Sequence, residues 1–335
     1  MRRVDHLNVI VPDPPGLLRT FTDLFELPLA FPTTRLPGFT SGGAYLGVVY
    51  EVIRYAPGRP SPVREDAGIH AIACEPEPLA GARSELARRQ IPHSPPMKIT
   101  GRWPAEADTP IFHRTEESGE LWTLVGVGGM IGNEVSARRF SRGMERGDGR
   151  LAPLVGRISG RMGSGRLAER FIAQTVTDRP FVFLCEFHGF NVPDETHATG
   201  LAELASRDGG PLGLVRTHEL VITARDAAAE AERWQRLLDP LQPTDPGRWQ
   251  PGDGPAVRVV EGGEDRIERT VWSVRSLERA ADWLREHGML REGPDGAVGI
   301  DPEILQGVNV WLTADPSPTK VPSASERPGA ATPTG

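Results

Sequence analysis

The sequence predicts an α+β protein built from a repeated strand–helix–strand unit, and three observations carry that prediction. Gly and Pro are abundant, 38 and 32 of 335 residues, which favours short strands joined by turns over long helices. Two segments align without a gap: His6-Leu-Asn-Val-Ile-Val-Pro-Asp13 and His70-Ala-Ile-Ala-Cys-Glu-Pro-Glu77 each read as an apolar strand led by His, followed by Pro and an acidic residue. Both then pass into text with helical apolar spacing.

In the first copy, Leu17, Leu18, Phe21, Leu24 and Phe25 give residues 16–27 one apolar helix face. In the second, Leu79, Ala82, Leu86 and Ala87 do the same over 79–90, and Pro92 closes the helix. Short extended stretches separated by Gly and Pro follow each helix, ending in a strand that contains one Glu. In copy one this is 45–55 with Glu51. In copy two it is 181–188 with Glu186, displaced by an intervening segment, 130–179. The shared order is strand, helix, then three strands.

Two weaker copies follow. The stretch 217–226 leads into a helix at 227–238 and strand-like text at 255–260; the stretch 269–274 leads into a helix at 277–287 and a strand at 308–313. The expected organisation is a first paired-module domain over 1–190 containing the insertion, a second, degenerate domain over 200–314, and a disordered Pro- and Ser-rich tail over 315–335.

Composition excludes several function classes. A net charge of −7 without a block of like charge gives no footprint for nucleic acid. No apolar run approaches the roughly 20 residues that span a bilayer, so a membrane is not expected as partner. Two cysteines, Cys74 and Cys185, make no disulfide framework and read as small buried apolar residues. The N-terminus lacks the apolar stretch of a signal peptide, and a cytoplasmic protein is expected.

Four segments, Asp5–Asp13, Gly42–Glu51, Gly68–His70 and Phe183–Glu186, resemble the vicinal oxygen chelate superfamily, which includes glyoxalase I, extradiol ring-cleaving dioxygenases, and fosfomycin and bleomycin resistance proteins. The wording is most similar to glyoxalase-like proteins. The resemblance covers roughly residues 1–130 and 180–314. It implies paired βαβββ modules forming half-barrels, four modules in two tandem barrel-like domains. It also implies one divalent metal ion held from the first and last strands of each module, and carried over by position those places are His6, Glu51, His70 and Glu186.

The residues are weighed on their own terms as well. A single His in a strand reads as a hydrogen-bonded core or surface residue, but the repeat puts His6 and His70 at matching places in paired strands. Glu51 and Glu186 each interrupt an apolar strand, and a buried lone carboxylate is costly unless paired, protonated or bound to a cation. Two imidazoles with one or two carboxylates suit Fe(II), Ni(II), Co(II), Mn(II) or Zn(II). His6, His70 and Glu186 alone would form a facial triad and leave Glu51 as catalytic base; all four would resemble an isomerase or lyase site.

The expected function is therefore a glyoxalase-like lyase or isomerase acting on a small oxygen-chelating molecule. A non-haem Fe(II) dioxygenase and a metal-free binding or resistance protein are the alternatives, and a homodimer is left open. Tyr50, Asn8 and His188 read as packing or surface residues near the presumed ligands. His218 lies one residue out of phase with His6, and the last strand has no Glu, so the second barrel is expected to scaffold. The 130–179 insertion reads as a solvated excursion, with an Arg-bearing lid as its alternative.

Overall fold

The structure, a computed structural model, describes residues 1–36, 39–55, 68–116, 119–147 and 180–316. Its first strand, β1 (Val4–Ile10), buries Val4, Leu7 and Val9 on one face. Pro14 opens helix α1 (Pro14–Arg19), a position where the missing N–H costs nothing, and the last turns, Thr20–Leu24, are wound as π-helix. Leu17, Leu18, Phe21 and Phe25 are the buried side chains the apolar spacing predicts. The predicted 45–55 strand is shorter: β2 (Leu29–Leu36) and β3 (Phe39–Tyr45) come first, and β4 (Val49–Tyr55) follows a turn at residues 46–48. Gly47 makes that turn at φ +71°, and a Cβ there would meet Arg216 Cβ at 2.9 Å.

The second module repeats the order. It comprises β5 (Gly68–Cys74), α2 (Leu79–Arg88), β6 (Met97–Thr100), β7 (Glu120–Val127) and β8 (Phe181–Phe187). The eight strands form one mixed sheet in the order β2-β3-β4-β1-β5-β8-β7-β6. Within each module the first and last strands run parallel, β1 with β4 and β5 with β8, and the modules meet antiparallel along β1 and β5.

Modules three and four build a seven-stranded sheet on the same plan. Module three is β9 (Leu214–Ala224), a helix at Ala227–Leu238, the two-residue β10 (Arg248–Trp249) and β11 (Ala256–Glu261). Module four is β12 (Arg266–Val274), a helix at Leu277–Glu286, β13 (Leu290–Glu292), β14 (Val298–Ile300) and β15 (Val310–Ala314). The order β10-β11-β9-β12-β15-β14-β13 again pairs each first strand parallel to its last, and β9 antiparallel to β12. The fold is α+β, as the repeat predicts, with the half-barrel modules that the family resemblance implies; module three is one strand short.

Two segments depart from expectation. The insertion is not wholly a solvated excursion: Met130 and Ile131 are buried, and α3 (Glu134–Gly147) lays Phe140 against Gly126 and Gly128, where added Cβ atoms would come within 3.1 and 2.9 Å of its ring. Residues 148–179 lie outside the described residues, as does the tail from 317. The helix α4 (Pro193–Ser206) answers to no repeat. It fits against the first sheet because Gly200 has no side chain where the Tyr45 ring passes, and the Tyr45 hydroxyl meets His197 Nδ1 at 2.6 Å. The Ala227–Leu238 and Leu277–Glu286 helices are α5 and α6 below.

One apolar core runs between the sheets and takes in the buried sides of α1, α2, α5 and α6. A chain of hydrogen bonds crosses it. Trp272 Nε1 donates to Tyr50 Oη at 2.7 Å, Tyr50 Oη and Thr217 Oγ1 are 2.9 Å apart, and Thr217 also donates to the Leu46 carbonyl. Tyr50 is therefore a joint between sheets, away from the open face of the first. No helix among the described residues is long and apolar enough to cross a membrane.

Candidate functional site

The concave face of the eight-stranded sheet encloses a cavity of about 1250 Å³, counting its open mouth. Most of its wall is aromatic or aliphatic: Phe31, Phe39, Trp103, Phe112, Trp122 and Phe187 come from both modules. The rings support one another, with Trp103 edge-on to Phe31 and Phe112 at centroid distances of 5.7 and 5.4 Å, and Phe112 stacked on Phe190 at 4.4 Å. The indole N–H of Trp103 is tied to Asp108 at 2.9 Å, which leaves the ring as an apolar surface.

Against this wall stands one polar cluster, Asp5, His6, Asn8 and Glu51, all from module one. Asp5 is a β-bulge. Val4 pairs with Cys74 and His6 with Ala73, so Asp5 has no register partner and the strand twists to present both Asp5 and His6 to the cavity. Asp5 Oδ2 meets His6 Nδ1 at 2.5 Å, while His6 Nε2 lies 3.4 Å from Glu51 Oε2. The other Glu51 oxygen accepts from Ser41 Oγ at 2.6 Å. Burial works against the imidazolium of His6, but Asp5 and Glu51 outweigh it and hold the group above its ordinary pKa. Asn8 sits in register with Glu51 and shares its face, and its Oδ1 is buried without a hydrogen-bond partner.

The other module supplies a different surface. His70 is itself a bulge: Asn8 pairs with Ala71 and Val9 with Ile69, so His70 has no register partner. Bulges recur at His218 and Glu268 in the second sheet. Counted from the bulge, the four modules correspond. The next residue is His6, Ala71, Glu219 or Arg269. The third, Asn8, Ala73, Val221 or Val271, stands opposite Glu51, Phe183, Arg258 or Trp311 of the module's last strand.

His6 therefore corresponds to Ala71, and His70 to Asp5. The ungapped pairing of His6 with His70 is one residue out of this register, since the bulge lies at Asp5 in one strand and at His70 in the other. His70 is absent from the cavity wall, and its ring meets Phe181 at 6.1 Å. Glu186 lies between Cys185 and Phe187, which do line the cavity, and alternation turns it to the opposite face. There its Oε1 accepts from Leu79 N at 3.3 Å at the start of α2, a favourable place for a carboxylate.

Of the four expected ligands the structure brings together His6 and Glu51 and leaves His70 and Glu186 apart. Among the described residues no group of three or more His, Cys, Asp or Glu side chains is disposed to hold a metal ion. Both nitrogens of His6 already face carboxylates, and the module-two places corresponding to His6 and Glu51 are Ala71 and Phe183. The donor set does not fit the divalent ion that the family resemblance implies.

The remaining candidates are placed as packing residues or on the surface. His188 Nε2 is 2.8 Å from Thr123 Oγ1 and 3.1 Å from Glu120. His218, as its phase predicts, does not take the place of His6. Cys74 and Cys185 are buried and unbridged, and burial pushes the Cys74 thiol up to about 12. Sequence reasoning missed Asp5, although a carboxylate directly before His6 was a visible signal. It also missed the aromatic wall, whose residues lie on separate strands and loops.

No protein-family model and no curated protein matches the chain. Solved structures similar to it include a hypothetical protein from Staphylococcus aureus, at 9% identity over 93% of this chain and 99% of that one, with a TM-score of 0.48. Another is a variant of homoprotocatechuate 2,3-dioxygenase from B. fuscum, at 10% identity over 92% and 70% with a TM-score of 0.47. A third is the 2,3-dioxygenase LapB from Pseudomonas sp. KL28, at 12% identity over 94% of each chain with a TM-score of 0.47.

Proposed function

We propose that the first barrel binds a small aromatic or apolar molecule carrying one hydrogen-bonding group, and that it does so without a divalent metal. The observation that carries this reading is the buried, unpartnered Oδ1 of Asn8 beside His6 and Glu51, at one side of a mostly apolar cavity. A buried acceptor left unmade costs about 1–3 kcal/mol, which a ligand hydroxyl or N–H recovers. The rest of the wall contributes apolar burial, at roughly 25 cal/mol per Å² removed from water.

The cluster also has the parts of an acid–base device. Asp5 orients the imidazole through Nδ1, Nε2 faces the cavity, and Glu51 is held by Ser41 beside it. His6 and Asn8 line the same cavity, so one bound polar group would meet both a proton carrier and an acceptor. Turnover is a further step beyond binding.

A second reading keeps the enzyme that the resemblance implies, a lyase or isomerase or a dioxygenase with a metal ion. One observation favours it: a carboxylate on Nδ1 is also how metal-bound imidazoles are oriented. Two facing donors are the weakness of that reading.

Quenching of tryptophan fluorescence tests the first, because Trp103 and Trp122 line the cavity. With 2-naphthol and naphthalene as probes in the presence of chelator, the hydroxylated probe is expected to bind about tenfold more tightly. Asn8→Ala and Glu51→Gln should erase that difference while leaving naphthalene binding in place. No quenching by either probe, or a preference for 2-naphthol that survives both substitutions, would refute the proposal.

A further inference from the structure

The concave face of the second sheet carries an unbalanced set of guanidinium groups. Two rows of registered residues cross it. In one, Arg248 of β10 pairs with Arg258 of β11, which stands beside Val221 of β9, and Val221 pairs with Arg269 of β12. In the other, Glu219 of β9 pairs with Val271 of β12, which stands beside Trp311 of β15; Gly299 of β14 and Arg291 of β13 complete it. Residues directly in register share a face, and so do residues two apart along a strand, so both rows open to the same side.

The contacts confirm the shared face. Glu219 Oε1 accepts from Arg248 Nε at 2.6 Å, and its Oε2 accepts from Arg258 Nε at 2.9 Å. The Arg291 guanidinium lies 4.9 Å above the Trp311 ring and donates to Asn309 Oδ1 at 3.1 Å. Gly293 and Gly299 leave room for the Trp311 ring, which an added Cβ would approach to 2.4 and 3.1 Å. Arg248 also donates to Thr244. Among the described residues Arg269 and Arg291 have no carboxylate within ion-pair distance.

The three guanidinium groups of the first row, Arg248, Arg258 and Arg269, thus face one carboxylate, Glu219, in the next, and two of them bond it. Nearby charges do not redress the balance: Arg216 and Asp315 pair with each other at 3.9 Å, and Arg266 at the rim is engaged by Glu264 and Glu268. Like charges on adjacent strands destabilise a sheet, and half-buried ones are poorly screened. By the bulge register, Arg258 stands at module three's place for Glu51 and Arg269 at module four's place for His6, so the two modules bring arginine to this face from different positions. The planar, multi-donor geometry of arginine matches oxyanions.

We propose that the second barrel binds a small molecule through a phosphate or carboxylate group seated among Arg248, Arg258 and Arg269, with Glu219 fixing the two β10–β11 guanidiniums in place. The site is separate from the aromatic cavity, and it makes the second barrel more than a scaffold.

The test is calorimetric titration of the full chain with inorganic phosphate and, in a second arm, with succinate, which distinguishes the two oxyanion sources. Binding of either, with a rise in melting temperature, is expected; sodium chloride at matched ionic strength should give neither. Arg269→Gln should weaken binding about tenfold or more and leave the unliganded protein folded, since it removes a repulsion. Arg266→Gln, at the rim, should bind as the parent does. The proposal is overturned if neither anion binds up to about 10 mM, if sodium chloride reproduces the effect, or if Arg269→Gln binds like the parent.

Discussion

Asp5 and His6 act as a pair because a single β-bulge points two consecutive side chains the same way. The bulge lets the carboxylate reach Nδ1 while Nε2 remains at the cavity, facing Glu51. Asp5 is thus the larger of the two carboxylate influences on His6, and burial opposes both. Replacing Asp5 by Asn keeps the bulge and the size of the side chain but removes its charge. The His6 pKa, followed by NMR of the imidazole protons, should then fall. An unchanged value would show that Asp5 does not govern the imidazole.

At the scale of elements, the contact between the insertion and α5 is the least expected. Glu230 of α5 is buried, and its Oε1 accepts from Ile131 N at 2.8 Å while Oε2 takes Arg233 Nη1 at 3.0 Å. Burial raises its pKa above 4.5, and the bonds to Ile131 and Arg233 only partly offset this. The native state therefore binds this proton more tightly than the unfolded chain. As pH falls through the raised folded-state pKa towards 4.5, the penalty of the buried charge is relieved and stability rises. Urea unfolding of the parent against Glu230→Gln should show the parent gaining relative stability over that window. A difference independent of pH would contradict the assignment.

Much of this element architecture was legible. Amphipathic spacing located α1, α2, α5 and α6, because each buries one stripe against the shared core. The self-alignment found the module order. What it could not show was the register within a module, since a bulge adds a residue without altering composition or alternation at either side. That one-residue slip moved His70 off the cavity and made Ala71 the counterpart of His6. Glu186 failed for a related reason: an acidic residue inside an apolar strand looks buried and unpaired until the neighbouring helix N-terminus supplies its partner. His6 and Glu51 lay within one module, where no register between modules was needed to bring them together.

Across the whole molecule, the same backbone plan is used with four chemistries. Module one contributes His6 and Glu51, module two Ala71 and Phe183, module three Glu219 and Arg258, and module four Arg269 and Trp311. The first barrel thus joins one polar half to one apolar half, which suits an aromatic ligand with a polar end. The second joins two halves rich in arginine. Between them lies a core whose buried hydrogen bonds, Trp272 to Tyr50 to Thr217, tie the sheets together. The central claim is that the first barrel works with half of the donor set that the family resemblance of its sequence implies.

Elemental analysis addresses that claim most directly, on full-length protein equilibrated anaerobically with Fe(II) and then freed of unbound metal. Two facing donors with both imidazole nitrogens engaged predict less than about 0.2 metal per chain. About one metal per chain, lost when His6 is replaced by Ala, would contradict it.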